Sequence, residues 1–232
     1  MGANGTAGKK RAAIYARMYQ AVGEKWVKAG ASSHAVCLYA HDKEAQEQFF
    51  RYGFGLRSID AIRTIGEIKH TTLTGIQLCE LPTERKADTL ALNNLLILHC
   101  GKSPAFMRHE QMSKNDLQHK IDKDNNRYFA AYKGNDMIAY IKTADYGENF
   151  ACDYPHMINI CGAFCLSEYR GMGVNQNLLN FMMDTLENEG YACLGVDFES
   201  FNPTAYGFWT KYFMAYTHSV VRRIDEYAIG ER

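Results

Sequence analysis

Apolar positions recur along the chain with two patterns, and each predicts a different element. Spacings of three and four residues, as at Ile14, Met18 and Trp26, place apolar side chains on one helix face. Short continuous apolar runs are typical of strands buried on both faces. Helices are predicted at 11–29, 42–52, 83–99, 113–122, 175–189 and 203–213. Strands are predicted at 35–40, 56–65, 76–81, 128–132, 137–143, 157–166, 193–198 and 216–224.

Part of this order of elements occurs twice. A shift of 160 positions, without a gap, brings Gly190 onto Gly30 and Ala205 onto Ala45. Each pair falls in the same element of the series helix, glycine stop, strand, helix, strand. The identities are few, so the repeated order is the stronger observation.

The repeat predicts three segments. Residues 9–66 correspond to the C-terminal half of a domain whose complete copy occupies 75–232, and the polar stretch 67–74 is the linker. The half copy is degenerate and lacks about four preceding strands. Two alternatives stay open: a fragment of a longer tandem protein, or a second copy that supplies the missing strands, as in a homodimer.

Composition narrows the class of protein. Of 232 residues 47% are hydrophobic, and 26 Lys+Arg balance 26 Asp+Glu. This favours a globular protein without the positive field of a nucleic-acid or membrane binder. No apolar run reaches membrane-spanning length, and residues 1–8 lack a signal-peptide core. The seven cysteines form no CxxC pair, which predicts buried thiols in a reducing cytoplasm and no metal site.

The charge is distributed unevenly. Residues 1–75 hold 11 Lys+Arg and 6 Asp+Glu, a net of +5, whereas residues 76–232 hold 15 and 20, a net of −5. Solvated faces explain such an imbalance without any function. The alternatives are that the acidic part suits a cationic partner or substrate, or that the two parts attract each other.

A glycine-containing turn joins the longest apolar strand to a helix. The strand 160–166 precedes the turn 170–175, Arg-Gly-Met-Gly-Val-Asn. Gly171 and Gly173 allow close backbone approach, and N–H groups at a helix start suit a pyrophosphate. Arg170 adds a cation. The turn is neither a Walker loop nor the dinucleotide fingerprint. A purely structural turn is the alternative.

Two signatures in this order resemble the GNAT N-acetyltransferases. The turn 170–175 resembles their Gln/Arg-x-x-Gly-x-Gly/Ala loop, with Asn175 at the last small position. About 27 residues later, 202–213 resembles their Asn-x-x-Ala-x-x-x-Tyr-x-Lys-x-Gly-Phe signature. The resemblance covers 75–232 and, more weakly, 9–66.

The resemblance implies the fold and the acyl donor. The implied fold is α/β (α+β), with a mixed sheet that splays between its fourth and fifth strands and holds acetyl-CoA in the gap. The strand edge would pair with pantetheine as an added strand does, and the loop amides would bind pyrophosphate. Asn202, also an N-cap candidate, would lie near the pantetheine arm. The implied cofactor-binding residues are Phe164, Cys165, Leu166, Arg170, Gly171, Met172, Gly173, Val174, Asn175 and Asn202.

The family's usual catalytic acid is not present at its expected position in this chain. The family often uses a Tyr as acid where this chain has Trp209, whose indole cannot supply a proton. Tyr206 and Tyr212 lie on the same predicted helix, and Tyr212, three residues after Trp209, is the predicted substitute; a packed aromatic is the alternative. Asp197 and Glu199 share one strand face, and Glu199, nearer the strand end, is the predicted base. An ion pair with a neighbouring cation is its alternative role.

The sequence therefore predicts a cytoplasmic N-acetyltransferase. It would move an acetyl group from acetyl-CoA directly to the primary amine of a small, cationic acceptor. The alternative is a non-catalytic acyl-CoA-binding or regulatory module, which the missing Tyr favours. A third reading, a structural domain without a ligand, is opposed by the loop. The half copy has no glycines at 10–14, so it should not bind acetyl-CoA in the same way.

Overall fold

A computed structural model of the protein describes residues 5–69, 71–123, 125–147 and 154–229. Cys152, one of the seven cysteines, and the first four residues lie outside these ranges. The described elements are α1 (Arg11–Lys28), β1 (Ser33–Tyr39), α2 (Lys43–Arg51), β2 (Gly55–Thr64), β3 (Ile76–Glu80), α3 (Leu90–Cys100), α4 (Lys114–Lys123), β4 (Arg127–Lys133), β5 (Asp136–Ala144), β6 (Met157–Cys165), α5 (Val174–Asn188), β7 (Cys193–Glu199), α6 (Pro203–Tyr212) and β8 (Met214–Arg223). This confirms the predicted alternation of helices and strands.

The chain divides into two compact units. The first unit holds described residues up to 61 together with 198–210 and 214–229, and the second holds 62–197 and 211–213. The division falls inside β2 and β7. It therefore does not follow the predicted segments, which were drawn from the repeated order of elements and stay a prediction.

In the first unit, β8 lies between β1 and β2. β1 and β8 are antiparallel, with His34 opposite Arg222. The core is aromatic, since Tyr15, Tyr19 and Phe49 form one buried cluster with residues of β1 and β8. The strands thus bury one face against α1 and α2.

The buried face of α1 differs from the sequence prediction. Ile14 and Met18 were expected inside, but Met18 is 46% exposed while Tyr15 and Tyr19 are buried. The tyrosines have hydrogen-bond partners there: the Tyr15 hydroxyl donates to Asp42 at 2.6 Å, and Tyr19 pairs with His34. Burying these tyrosines places a large apolar ring in the core without leaving its hydroxyl unpaired. This favours burial of Tyr15 and Tyr19 over burial of Met18.

The start of α2 is as predicted, whereas the start of α3 is not. Asp42 caps α2, because its carboxylate accepts from the Ala45 N–H at 3.1 Å. Burial raises the pKa of that carboxyl, but hydrogen bonds from Tyr15 and Ala45 outweigh burial and lower it. The apolar spacing predicts a single helix over 83–99. Instead Thr83–Thr89 forms a 3₁₀ turn, with Thr83 making no cap, and α3 begins at Leu90.

The second unit contains a mixed sheet in the order β7-β6-β5-β4-β3. β6 and β7 are parallel, and the remaining described pairs are antiparallel. α5 packs on β4 and β5, and α3 packs on β5 and β6. β6 is mostly buried, as its continuous apolar sequence predicted. The fold is α+β, and none of its described helices has the length and hydrophobicity of a membrane-spanning segment.

His34 makes the stability of the first unit depend on pH. Burial, and secondarily the Arg222 charge, lowers the pKa of this imidazole. Below about pH 6.5, the His34 imidazole therefore binds a proton more readily in the unfolded chain than in the folded one. We expect the free energy of unfolding to fall as the pH drops from about 6.5 toward the lower pKa of the folded protein, by at most about 1.4 kcal/mol per pH unit for this proton. Denaturant titrations at pH 7.5 and 5.0 measure the loss.

The matched variant is His34→Gln, whose side-chain oxygen can still accept from Tyr19. Its unfolding free energy should fall less between the two pH values than that of the parent protein. Equal losses in both proteins would contradict the assignment to His34.

Candidate functional site

β6 pairs with β7 along only part of its length. Met157–Ile160 pair in parallel with Cys193–Val196, whereas pairing with β5 continues to Cys165. Over 161–165, the described pairing of β6 is with β5 alone. A strand edge therefore opens on the β7 side, after Ile160.

One extra residue in β6 marks the point where this pairing stops. Thr143 lies opposite Ile160 and Lys142 lies opposite Gly162, so Cys161 is an inserted residue, a β-bulge. A bulge bends its strand and increases the local twist. It therefore gives β6 a local reason to turn away from β7 at this position.

Cys161 itself is a protected thiol. Its sulfur lies 3.7 Å from the Lys142 carbonyl oxygen. Burial raises the pKa of the thiol, partly offset by the Lys142 charge, and Asp197 raises it further. A raised pKa keeps the group in its less nucleophilic neutral form. The groups at this position that can interact with a ligand are therefore the backbone of Cys161 and the charged side chains of Lys142 and Asp197, and not the thiol.

The open edge of β6 presents the backbone of Cys165. The Leu166 N–H donates to the Ile138 carbonyl of β5, and hydrogen-bonding direction alternates along an antiparallel strand. Leu166 and Phe164 thus turn their backbone groups toward β5, while Cys165 turns its own away. The Cys165 carbonyl accepts from Arg170 Nε at 3.0 Å, which leaves its N–H at the open edge.

Two glycines with positive φ form the bend after β6. Gly171 has φ +77° and Gly173 has φ +83°, a backbone region that other residues rarely adopt. A β-carbon on Gly173 would lie 2.5 Å from Thr71 Oγ1. Glycine at 173 is therefore favoured by the backbone conformation, and a β-carbon there would also displace the Thr71 side chain.

The bend leaves a set of backbone N–H groups without a protein acceptor. Among the described residues, no group accepts from the N–H groups of 173–176, and α5 has no side-chain cap. The first N–H groups of a helix carry its partial positive charge and bind anions. The Asn175 side-chain oxygen is buried without a partner in the described ranges. The N–H groups can bind an anion, and the anion site at this bend stays a prediction.

Arg170 is fixed against β6. Beyond its bond to Cys165, its guanidinium lies 5.2 Å from the centroid of the Phe164 ring. Phe164 is 8% exposed and belongs to the core on the α3 face. Arg170 thus ties the turn to the strand end and adds positive charge beside the bend.

The other predicted site residues lie on β7 and α6. Asn202 is the N-cap of α6, because its oxygen accepts from the Ala205 N–H at 3.3 Å and from Thr204 at 2.7 Å. Glu199 is the last residue of β7, and Tyr212 the last of α6; both are half-buried. The N-cap role of Asn202 is confirmed, while contacts of all three with cofactor or substrate stay predictions.

Sequence reasoning missed the contacts of the linker. The sequence predicts a linker at 67–74, and in the structure the side chains of Gln176, Asn177 and Asn180 bind its backbone. The available signal was the run of Asn and Gln early in α5, because amide side chains can hydrogen-bond to the backbone of another segment. Their hydrogen-bond partners lie up to 112 residues away in the chain, so a local sequence pattern does not identify them.

Comparison with known proteins identifies one family. The model of the acetyltransferase (GNAT) family matches residues 96–213, just over half of the chain. This range includes both signatures and all of β6 and the bend. No protein with a curated function matches the chain in sequence.

Solved structures share the fold at low identity. A GCN5-related N-acetyltransferase from Sphaerobacter thermophilus is similar with TM-score 0.60 and 10% identity, over 90% of this chain and 67% of that one. One from Kribbella flavida gives 0.52 and 10%, over 89% and 75%. A Staphylococcus epidermidis protein described as functionally unknown gives 0.52 and 9%, over 97% and 83%.

The bend is tested by replacing one glycine at each end of α5. Gly173→Ala should weaken coenzyme A binding at least tenfold, because the φ of +83° and the contact with Thr71 force the bend to change. Gly190→Ala is the matched control, since Gly190 has φ +91° and open space around it. The control should lose about 1 kcal/mol of stability and bind coenzyme A normally.

Isothermal titration calorimetry gives both affinities, and denaturant unfolding confirms that the variants fold. If Gly173→Ala binds coenzyme A as the parent protein does, the bend is not the cofactor site.

Proposed function

The chain belongs to the acetyltransferase (GNAT) family, and we propose that it moves an acetyl group from acetyl-CoA directly to the primary amine of a small acceptor. Family membership gives the reaction class and the acyl donor. The observation that carries the proposal for this chain is the set of N–H groups at 173–176 without an acceptor among the described residues, which follows the open edge of β6 in the chain.

Acetyl-CoA supplies the acetyl group as a thioester, which amines attack readily. The bend, including Gly171, Met172, Val174 and Asn175, would bind the diphosphate through backbone N–H groups. The Cys165 N–H at the open strand edge would pair with the amide-containing pantetheine arm, as an added strand does. The residues that fit the cofactor are thus backbone donors, held in place by glycine conformation.

The thioester carbonyl of acetyl-CoA is proposed to lie beside the bulge in β6. A transferring acyl group develops negative charge on its oxygen, and a fixed backbone N–H stabilises that charge. β6 loses its β7 partner after Ile160, directly before the bulge at Cys161. Backbone donors in this part of β6 would serve as the oxyanion site.

The amine must lose a proton before or during attack. We assign this role to Glu199, with Asp197 as the competing candidate. Asp197 follows Val196, the last residue of β7 paired with β6, and its charge reaches Cys161. Tyr212 is proposed to return a proton to the leaving thiolate, because its phenol can donate and Trp209 cannot act as an acid.

A small cationic acceptor is the proposed substrate class. The support is the net charge of −5 over 76–232, together with the exposed carboxylate of Asp197 beside the bulge. Negative charge raises the local concentration of cationic substrates.

A non-catalytic acyl-CoA-binding module is the second candidate. Trp209, at the position of the family's usual acid, is 7% exposed, so a buried indole stands where a phenol would be needed. This candidate predicts coenzyme A binding without transfer to any amine.

The half copy at 9–66 is proposed as a relic of the same fold. Shifted back by 160 positions, β7 coincides with β1 residue for residue. The caps correspond as well, since Asp42 accepts from the Ala45 N–H as Asn202 does from that of Ala205. The copy has no glycine at the equivalent positions 10–14, and the N-cap of α1 is Lys10. It would shape or support the fold without binding acetyl-CoA.

The function is tested by thiol release with a panel of amines. The parent protein should release coenzyme A with small diamines or polyamines faster than with neutral amines. Glu199→Gln should lower kcat by about 10²–10⁴-fold and leave coenzyme A affinity unchanged; Tyr212→Phe should lower kcat and leave the affinity unchanged.

Asp197→Asn is the comparison variant. If it loses activity and Glu199→Gln does not, the base is Asp197. Binding of coenzyme A without acetylation of any amine would favour the non-catalytic module instead.

A further inference from the structure

A strap crosses the start of α5. The strap consists of residues 67–69 and 71–72 from the predicted linker. The Ile68 N–H donates to Asn180 Oδ1 at 3.0 Å, and Asn180 Nδ2 donates back to the Ile68 carbonyl at 2.8 Å. One side-chain amide thus binds both backbone groups of one strap residue, as a neighbouring strand would.

Two further amides hold the strap nearer the bend. Asn177 Nδ2 lies 2.9 Å from the Thr71 carbonyl oxygen and 2.9 Å from that of Gly173, so it joins the strap to the bend directly. Gln176 Nε2 donates to the Lys69 carbonyl. Asn177 and Asn180 are 9% and 6% exposed, and buried amides need such partners. The strap is therefore ordered by α5.

This anchoring places the Thr71 side chain at the bend. From the position a β-carbon of Gly173 would take, Thr71 Oγ1 is 2.5 Å away, whereas Thr71 Cβ is 3.8 Å away. The hydroxyl, not the methyl-bearing carbon, is thus turned toward the bend. Thr71 is an exposed residue. Its hydroxyl lies beside Gly173, the first of the residues 173–176 whose N–H groups have no acceptor among the described residues.

We infer that Thr71 is a further cofactor-binding residue, whose hydroxyl donates to an anionic oxygen of the coenzyme A diphosphate. The inference rests on the proposed function, because it takes coenzyme A as the ligand of the bend. Hydrogen bonds to charged acceptors are about twice as strong as neutral ones. Since the strap is already ordered by Asn177 and Asn180, binding need not spend free energy on ordering it.

The rival role for the same contact is obstruction. Thr71 covers one side of Gly173, and a strap that had to move aside would oppose the cofactor. The two roles predict opposite changes in affinity when the hydroxyl is removed, which makes them separable by one substitution.

The test is calorimetric titration of coenzyme A into the full chain and three variants. Thr71→Val removes the hydroxyl and keeps the shape, and should weaken binding roughly tenfold, the worth of one hydrogen bond to a charged group. Thr71→Ser should bind as the parent protein does. Thr72→Val, at the exposed neighbouring position, is the matched control and should be unchanged. Unchanged or tighter binding by Thr71→Val would overturn the inference.

Hydrogen exchange gives a readout independent of the variants. Coenzyme A should slow exchange of the strap N–H groups if the strap joins the site, and speed it if the strap is displaced. Faster exchange would therefore overturn the inference. A parent protein that binds no coenzyme A refutes the proposed function as well, whereas normal binding by both the parent and Thr71→Val refutes this inference alone.

Discussion

The bend between β6 and α5 depends on backbone conformation that only glycine adopts readily. With φ of +77° and +83°, Gly171 and Gly173 turn the chain so that α5 starts without a capping side chain. The N–H groups of the first turn then remain available, carrying the positive end of the helix. Arg170 lies against Phe164 directly before this bend, and Thr71 contacts it at Gly173.

A second constraint acts at the same end of β6. The bulge at Cys161 stands where described pairing with β7 ends, and the remainder of β6 runs on to the bend while paired with β5. An open strand edge and a set of N–H groups without an acceptor among the described residues thus lie at successive positions of one segment. An extended, amide-containing molecule with an anionic group matches that order, and acetyl-CoA is such a molecule.

The first unit is held by a different interaction. Asp42 accepts from Tyr15, Arg11 and the N–H of Ala45, so one buried carboxylate ties α1 to the start of α2. Asn202 caps α6 with an uncharged amide oxygen. The Asp42 carboxylate is thus taken up by internal hydrogen bonds within the first unit.

Local pattern determined the order of elements, the glycine turn and the caps at Asp42 and Asn202, because helix periodicity, glycine and capping side chains act within a few residues. Only the tertiary structure decided that Tyr15 and Tyr19 replace Met18 in the core, and that a linker binds the amides of α5. Those outcomes depend on partners distant in the chain, and a hydrogen-bond partner far away leaves no periodic signal in the sequence.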